Sequence, residues 1–149
     1  FIDGEGAIGL AREYDKRKDK YKENNKYFVY RPILQVTNTN EKIILWIKNF
    51  VVNGTLSRKN PESPNHRPQY RFSLRKQGDL KNLLTKIIPY LKIKKLQAII
   101  VLRYISQRQK CKRKGWYKPY VKENRNIYQE LKELNLRGRE AMSKTYASI

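Results

Sequence analysis

The chain has 149 residues, with 34 Lys+Arg against 13 Asp+Glu, a formal net charge of +21. That length holds one domain, or two small ones, and a real hydrophobic core. The apolar 39% is gathered in runs, which excludes a disordered chain, and no run approaches the roughly 20 apolar residues of a membrane-spanning helix. A single cysteine, Cys111, and a single histidine, His66, exclude an intrachain disulfide framework, a four-cysteine zinc site and a His-rich metal site.

In chain order, residues 7–14 begin in strict alternation, with Ile8 and Leu10 on one face and Ala7, Gly9, Ala11 and Glu13 on the other. Residues 15–26 are charged and carry the turn signal Asn24-Asn25, so they read as a long hairpin connection. Residues 27–37 are strand-like. Tyr30, Leu34 and Val36 share one face, and Arg31, Ile33, Gln35 and Thr37 share the other. Pro32 lacks a backbone donor and predicts an edge or a bulge. Asn40 is a good N-cap for a helix in which Ile43, Ile44, Trp46, Ile47 and Phe50 recur at helical spacing, with Asn53-Gly54 at its exit.

A short strand over Thr55–Lys59 leads through a loop with Pro61, Pro64 and Pro68 into a clear strand: Tyr70, Phe72 and Leu74 face one way, and Arg71, Ser73 and Arg75 the other. Asp79 predicts the cap of a helix carrying Leu80, Leu83, Leu84, Ile87 and Ile88, which Pro89 stops. Residues 94–107 predict a second helix, with Leu96, Ile99, Ile100, Leu102 and Ile105 apolar. Residues 108–122 form a basic connection, and residues 124–135 a last amphipathic helix with Ile127, Leu131 and Leu134. The tail beyond Gly138, including residues 139–149, has no clear period.

This order predicts an α+β domain over residues 1–149, built on one antiparallel sheet. In so short a chain the helices cover only one face of such a sheet. The open face then carries Arg31, Gln35, Arg71, Ser73 and Arg75. The net charge carries the electrostatic footprint of a nucleic-acid partner. A membrane surface is the rival reading, but neither a basic amphipathic helix nor a lipidation motif is found.

The chemistry is concentrated in Phe1-Ile2-Asp3-Gly4-Glu5-Gly6, where two glycines flank a carboxylate immediately before a strand. Glycine permits tight backbone approach. An acid at the mouth of a sheet that binds phosphate sets anion beside anion, which is repulsive unless a divalent cation lies between them. An acidic turn at a helix end is the plainer alternative. A phosphate-binding P-loop is excluded, because Gly-Lys-Ser/Thr does not follow.

The hexapeptide resembles the second half of the LAGLIDADG homing endonuclease signature. The resemblance continues in family order through residues 35–38 (QVTN), residues 89–98 (PYLKIKKLQA) and residues 134–138 (LNLRG). It implies an αββαββα core with a four-stranded antiparallel DNA-binding sheet, extra C-terminal helices, and a first helix whose beginning lies upstream of Phe1. By resemblance, Glu5 is the metal-binding carboxylate, Gly4 assists through its carbonyl, and Asp3 is structural. Lys94 is the basic residue of the cleavage pocket, Asn38 a water-positioning residue and Lys42 a second basic residue.

The implied activity is Mg²⁺-dependent cleavage of both strands of DNA at a pseudo-palindromic site by a homodimer, with Mn²⁺ as a substitute metal and a group I intron as the implied origin. Mg²⁺ suits hard oxygen ligands and keeps several waters. Bases are read from the open sheet face: Arg71 and Arg75 suit guanine, Gln35 suits adenine, and Arg31, Ser57, Ser73 and Lys59 are further candidates. Whether Ser57 and Lys59 share that face depends on register, since a one-residue slip inverts it.

The connection from Arg108 to Lys122 holds seven basic residues and no acid, interleaved with Trp116, Tyr117 and Tyr120, and reads as a phosphate contact, as a stacking surface for single-stranded bases, which would favour RNA, or as a loop pinned by its aromatics. Cys111 and His66 carry no expected role. An intron-RNA maturase, or another nucleic-acid-binding protein without cleavage, is the alternative on the same fold. The sequence leaves the host compartment open among intracellular settings, an organelle (chloroplast or mitochondrion) or a bacterial cytoplasm, and no membrane partner is expected.

Overall fold

A computed structural model describes residues 1–14, 28–51, 53–61, 63, 65–113 and 123–135. A single turn, α1 (Ile2–Glu5), runs directly into β1 (Gly6–Tyr14). Then follow β2 (Phe28–Asn38), α2 (Glu41–Phe50), β3 (Thr55–Lys59), β4 (Gln69–Leu74), α3 (Gln77–Ile87), a 3₁₀ turn (Ile88–Tyr90) and α4 (Lys95–Arg113). Residues 123–135 form a further helix, α5. The predicted hairpin connection, Trp116, Tyr117 and Tyr120, and the tail beyond Gly138 lie outside the described residues, and so does most of the LNLRG segment.

The strands form one antiparallel sheet in the order β1-β2-β4-β3. Alternation decides what each strand buries. Ile8 and Leu10, Tyr30, Leu34 and Val36, and Tyr70, Phe72 and Leu74 are buried on one face. Helices close over them with Ile44 and Ile47 from α2, Leu80 and Leu84 from α3, Ala98, Ile100, Val101, Tyr104 and Ile105 from α4, and Ile127 and Leu131 from α5. Pro32 pairs with Leu10, but β4 flanks β2 only from Leu34 onward, so Pro32 stands where β2 is locally an edge. The Tyr104 hydroxyl donates to the Tyr30 carbonyl at 2.7 Å, and the Arg108 guanidinium donates to the same oxygen at 2.6 Å. A tilted ring contact of Tyr30 with Tyr128, at 5.1 Å between centroids and 43° between planes, ties α5 to the sheet.

Several local expectations shift. Asn40 caps α2 by accepting from the Lys42 N–H at 3.1 Å. α3, however, starts at Gln77, ahead of Asp79. Asp79 lies in its first turn, where its charge suits the helix dipole, and accepts from Asn53 at 2.9 Å. α4 continues to Arg113, so the first part of the basic connection is helical. Trp46 and Phe50, expected in the core by spacing, are 62% and 77% exposed, because the sheet takes only the Ile44–Ile47 stripe of α2. Leu96 and Ile99 also face outward. Gly54 is dictated by contact: a Cβ there would lie 1.9 Å from Cε2 of Phe72.

Candidate active site and nucleic-acid interface

The acidic hexapeptide builds a short turn with its own logic. Gly6 ends α1 in extended conformation, its N–H returning to the Ile2 carbonyl. A Cβ on Gly6 would lie 2.6 Å from that carbonyl oxygen, so the close backbone approach needs glycine. Gly4 differs, since a Cβ there would meet open space.

Asp3 and Lys94 lock this turn to α4 reciprocally. The Asp3 carboxylate accepts from the backbone N–H groups of Lys92 at 2.6 Å, Ile93 at 3.1 Å and Lys94 at 2.8 Å. These groups immediately precede α4, where negative charge is favoured. In return the Lys94 ammonium donates to the carbonyl of Ile2 at 3.3 Å, to that of Asp3, and to that of Gly4 at 3.2 Å. Two chain segments about 90 residues apart are thus fastened through opposite helix ends.

Desolvation pushes the Asp3 carboxyl upward, but the backbone N–H groups of Lys92, Lys94 and Ile93 and the Lys94 ammonium outweigh it and hold the group below its ordinary range. Lys94 sits below the usual lysine range because burial penalises its charge, although Asp3 and Glu5 pull it back. Glu5 is exposed, and its carboxylate forms no hydrogen bond or ion pair with a described residue.

The remaining expected catalytic residues stand at the same end of the sheet. Gly6 pairs with Val36, which sets Asn38, two residues further along β2, beside α1. The Asn38 side chain accepts from the Asn40 N–H at 2.7 Å and so braces the turn into α2. Lys42 is exposed in the first turn of α2. None of Asn38, Lys42 and Glu5 is hydrogen-bonded to another of the three through its side chain. The carbonyl of Gly4, expected to assist at a metal, accepts from the Lys94 ammonium at 3.2 Å.

The open sheet face collects the expected DNA-reading residues. Gln35 pairs with Ser73 and Ser73 with Thr55; Thr37 pairs with Arg71 and Arg71 with Ser57; Lys59 pairs with Gln69. The register therefore puts Ser57 and Lys59 on the face of Arg71 and Ser73, and the slip that would invert them does not occur. Arg31 shares this face from β2, and Arg75 follows β4.

Glu13 is a residue that sequence reading left without a role. It pairs with Arg31 Nε at 2.7 Å and with Arg75 Nη1 at 2.6 Å. Its place in the alternation put it on the right face, but which cations it meets depends on strand order. Gln97, one turn into α4 from Lys94, is also unforeseen: it is buried, and its Oε1 has no hydrogen-bond partner among the described residues.

The chain superposes on the homing endonuclease I-CvuI, solved on an I-CreI target DNA with Mg, at TM-score 0.70 and 23% identity, over 90% of this chain and 76% of that one. The fold is that of the LAGLIDADG homing endonucleases. The archaeal intron-encoded homing endonuclease I-Vdi141I, complexed with DNA, gives TM-score 0.68 at 17% identity over 89% of this chain and 78% of its own. I-TnaI gives 0.61 at 14% identity over 92% of both chains. No family model and no curated protein matches the sequence. The LAGLIDADG fold accounts for the αββαββα order, with α4 continuing beyond the expected bound and α5 packed on the core.

A divalent cation fits the donor chemistry at Glu5 in a restricted sense. The exposed carboxylate offers hard oxygen ligands, yet the described residues contain no cluster of three acidic, His or Cys side chains. Mg²⁺ is commonly held by one or two carboxylates together with substrate phosphates and water, so such a site would be completed from outside this chain.

Proposed function

We propose that this protein is a site-specific endonuclease of double-stranded DNA, intron-encoded, acting as a homodimer with Mg²⁺. The observation that carries the reading is the position of Glu5: an exposed carboxylate with no hydrogen bond or ion pair to a described residue, beside the Lys94 ammonium at the head of β1, where a sheet with a basic open face begins. Apolar surface beside it supports a second copy as the other partner. Phe1, Tyr90, Ile93, Leu96 and Ile99 are all at least 45% exposed around α1 and the start of α4. Exposed apolar surface of this kind marks association sites.

In this reading Glu5 of each copy, with phosphate oxygens, would hold the cation, which when bound supplies electrostatic stabilisation to the attacking and leaving oxygens. The chain's own residues set the stage. Asp3 and Lys94 fix the turn that carries Glu5, so its carboxylate is delivered from a rigid mount. Lys94 adds positive charge next to the acid, Asn38 holds the neighbouring turn, and Lys42 gives an exposed cation at the same sheet end. The sheet face positions the duplex through Lys59, Arg31, Arg71 and Arg75, with Gln35, Ser57 and Ser73 between them.

The test starts from sites selected out of a randomised duplex library and cloned into supercoiled plasmid. Wild type is expected to linearise the plasmid with Mg²⁺ and not without it. Glu5→Gln is expected to lose cleavage while holding affinity within about tenfold, as for a group that acts in the transition state. Cleavage by Glu5→Gln at the wild-type rate refutes the assignment. Tight intron-RNA binding without any DNA cleavage by wild type supports the maturase reading in its place.

A further inference from the structure

We propose that Glu13 is a positioning residue for specificity: it holds Arg31 and Arg75 across the bare surface of β1 so that they read base edges in the outer part of the target site. The proposal rests on the DNA-cleaving reading above and adds a residue and a place in the target to it.

Three observations converge. β1 offers the open face almost nothing to read bases with, since Ala7, Gly9 and Ala11 precede Glu13 there. A Cβ on Gly9 would meet no atom within 4 Å, so the surface over the middle of β1 is clear. Into this gap Glu13 draws two guanidinium groups from different elements. Arg31 stands opposite Ala11 on the neighbouring strand and reaches Glu13 Oε2 diagonally, while Arg75, just past the end of β4, reaches Oε1.

Both arginines are half exposed, at 50% and 55%, and Glu13 is 38% exposed. Exposed ion pairs contribute little to folding, so stability is a weak reason for an acid on a face otherwise committed to phosphate. A carboxylate there lowers affinity for any DNA. It returns something in exchange only if it orders the cations. Each guanidinium gives Glu13 a single close N–O contact and retains further N–H donors in a planar fork, the geometry that suits guanine O6 and N7. Released, the same flexible side chains would settle on the nearest phosphate, which carries no sequence information.

The location follows from strand geometry. Gly6 to Glu13 spans roughly 24 Å of β1 at roughly 3.4 Å per residue, which corresponds to about seven base pairs from the Glu5 end. The affected positions are therefore the outer flank of each half-site, and positions close to the cleavage centre are unaffected.

The experiment is selection from a randomised duplex library by wild type, Glu13→Ala, Glu13→Gln, Arg31→Ala and Arg75→Ala, with base preference read position by position. Affinity for a random-sequence duplex is measured alongside, and thermal melting confirms that each variant is folded. Glu13→Ala is expected to flatten base preference about five to nine base pairs from the centre, with roughly a tenfold fall in the affinity ratio of selected to random DNA. It is also expected to bind the random duplex more tightly than wild type. Arg31→Ala and Arg75→Ala should flatten the same positions, and combining either with Glu13→Ala should add little. If Glu13→Ala and Glu13→Gln tighten binding to all DNA while outer preference stays intact, Glu13 merely trims charge and the proposal fails. If wild type enriches no site at all, the endonuclease reading fails with it, so the two failures are distinguishable.

Discussion

Replacing Asp3 by Ala removes the one acceptor that gathers the backbone N–H groups of Lys92, Ile93 and Lys94. These groups stand at the entry to α4, whose first turn closes from the Ala98 N–H to the Lys94 carbonyl. A side-chain acceptor at a helix start is worth about 0.5–2 kcal/mol, and negative charge there adds about 0.3–1 kcal/mol. Water recovers part of this at a half-exposed site, so the expected loss near neutral pH is about 2 kcal/mol. For a chain of this size that lowers the melting temperature by about 4–8 °C.

The pH dependence supplies a second check. The carboxyl is held below its ordinary 3.8, so its contribution is complete above that value and disappears as pH falls through the lower folded one. Thermal unfolding of wild type and Asp3→Ala, followed by circular dichroism from about pH 6 down to about pH 2.5, is expected to show a gap that is constant at first and closes below about pH 4. Asp3→Asn, which keeps an acceptor without the charge, should fall between the two. A variant that melts with wild type at pH 6, or a gap that persists unchanged to the acid end, refutes the proposed cap.

Gly54→Ala drives a Cβ to 1.9 Å from the buried Phe72 ring. Overpacking of this kind costs about 1–3 kcal/mol, and a melting temperature equal to wild type would show that the ring yields freely. Tyr104→Phe deletes the buried hydroxyl that donates to Tyr30, a loss of about 1 kcal/mol, seen as a lower urea midpoint at unchanged slope. A midpoint that does not move would mean that Arg108, on the same carbonyl at 2.6 Å, satisfies it alone. If the open sheet face binds duplex DNA through several phosphates, affinity should fall by about 10³-fold or more between 50 and 200 mM salt. A flat dependence would contradict that face as the contact surface.

Strand period and charge were legible along the chain because they are local. Alternation in β1, β2 and β4 assigned each side chain to the core or the open face, and burial of Ile8, Leu34 and Phe72 follows that assignment. The expected edge at Pro32 also appears, but its reason is a tertiary one: β4 is too short to flank that part of β2. Helix faces were read less well. The apolar residues of α2 and α4 at helical spacing include Trp46, Phe50, Leu96 and Ile99, all of which turn outward. A helix on a four-stranded sheet buries a stripe narrower than its apolar residues mark, and the sequence does not say where that stripe stops.

The acidic turn shows the division most clearly. Taken alone, Phe1 to Gly6 marks a carboxylate set between glycines before a strand, and the residue types already indicate oxygen-ligand chemistry beside phosphate. Folding supplies the separate destinies of its two acids. Asp3 is consumed by the backbone of Lys92–Lys94, while Glu5 keeps its oxygens toward solvent. That difference depends on a segment about 90 residues away, as do the grip of Lys94 on three carbonyls and the fork of Glu13 on two arginines from other elements. One-dimensional order encodes periodicity and chemical type. Which charges meet is settled by strand order and register, because interactions that span the chain exist only once the sheet has closed.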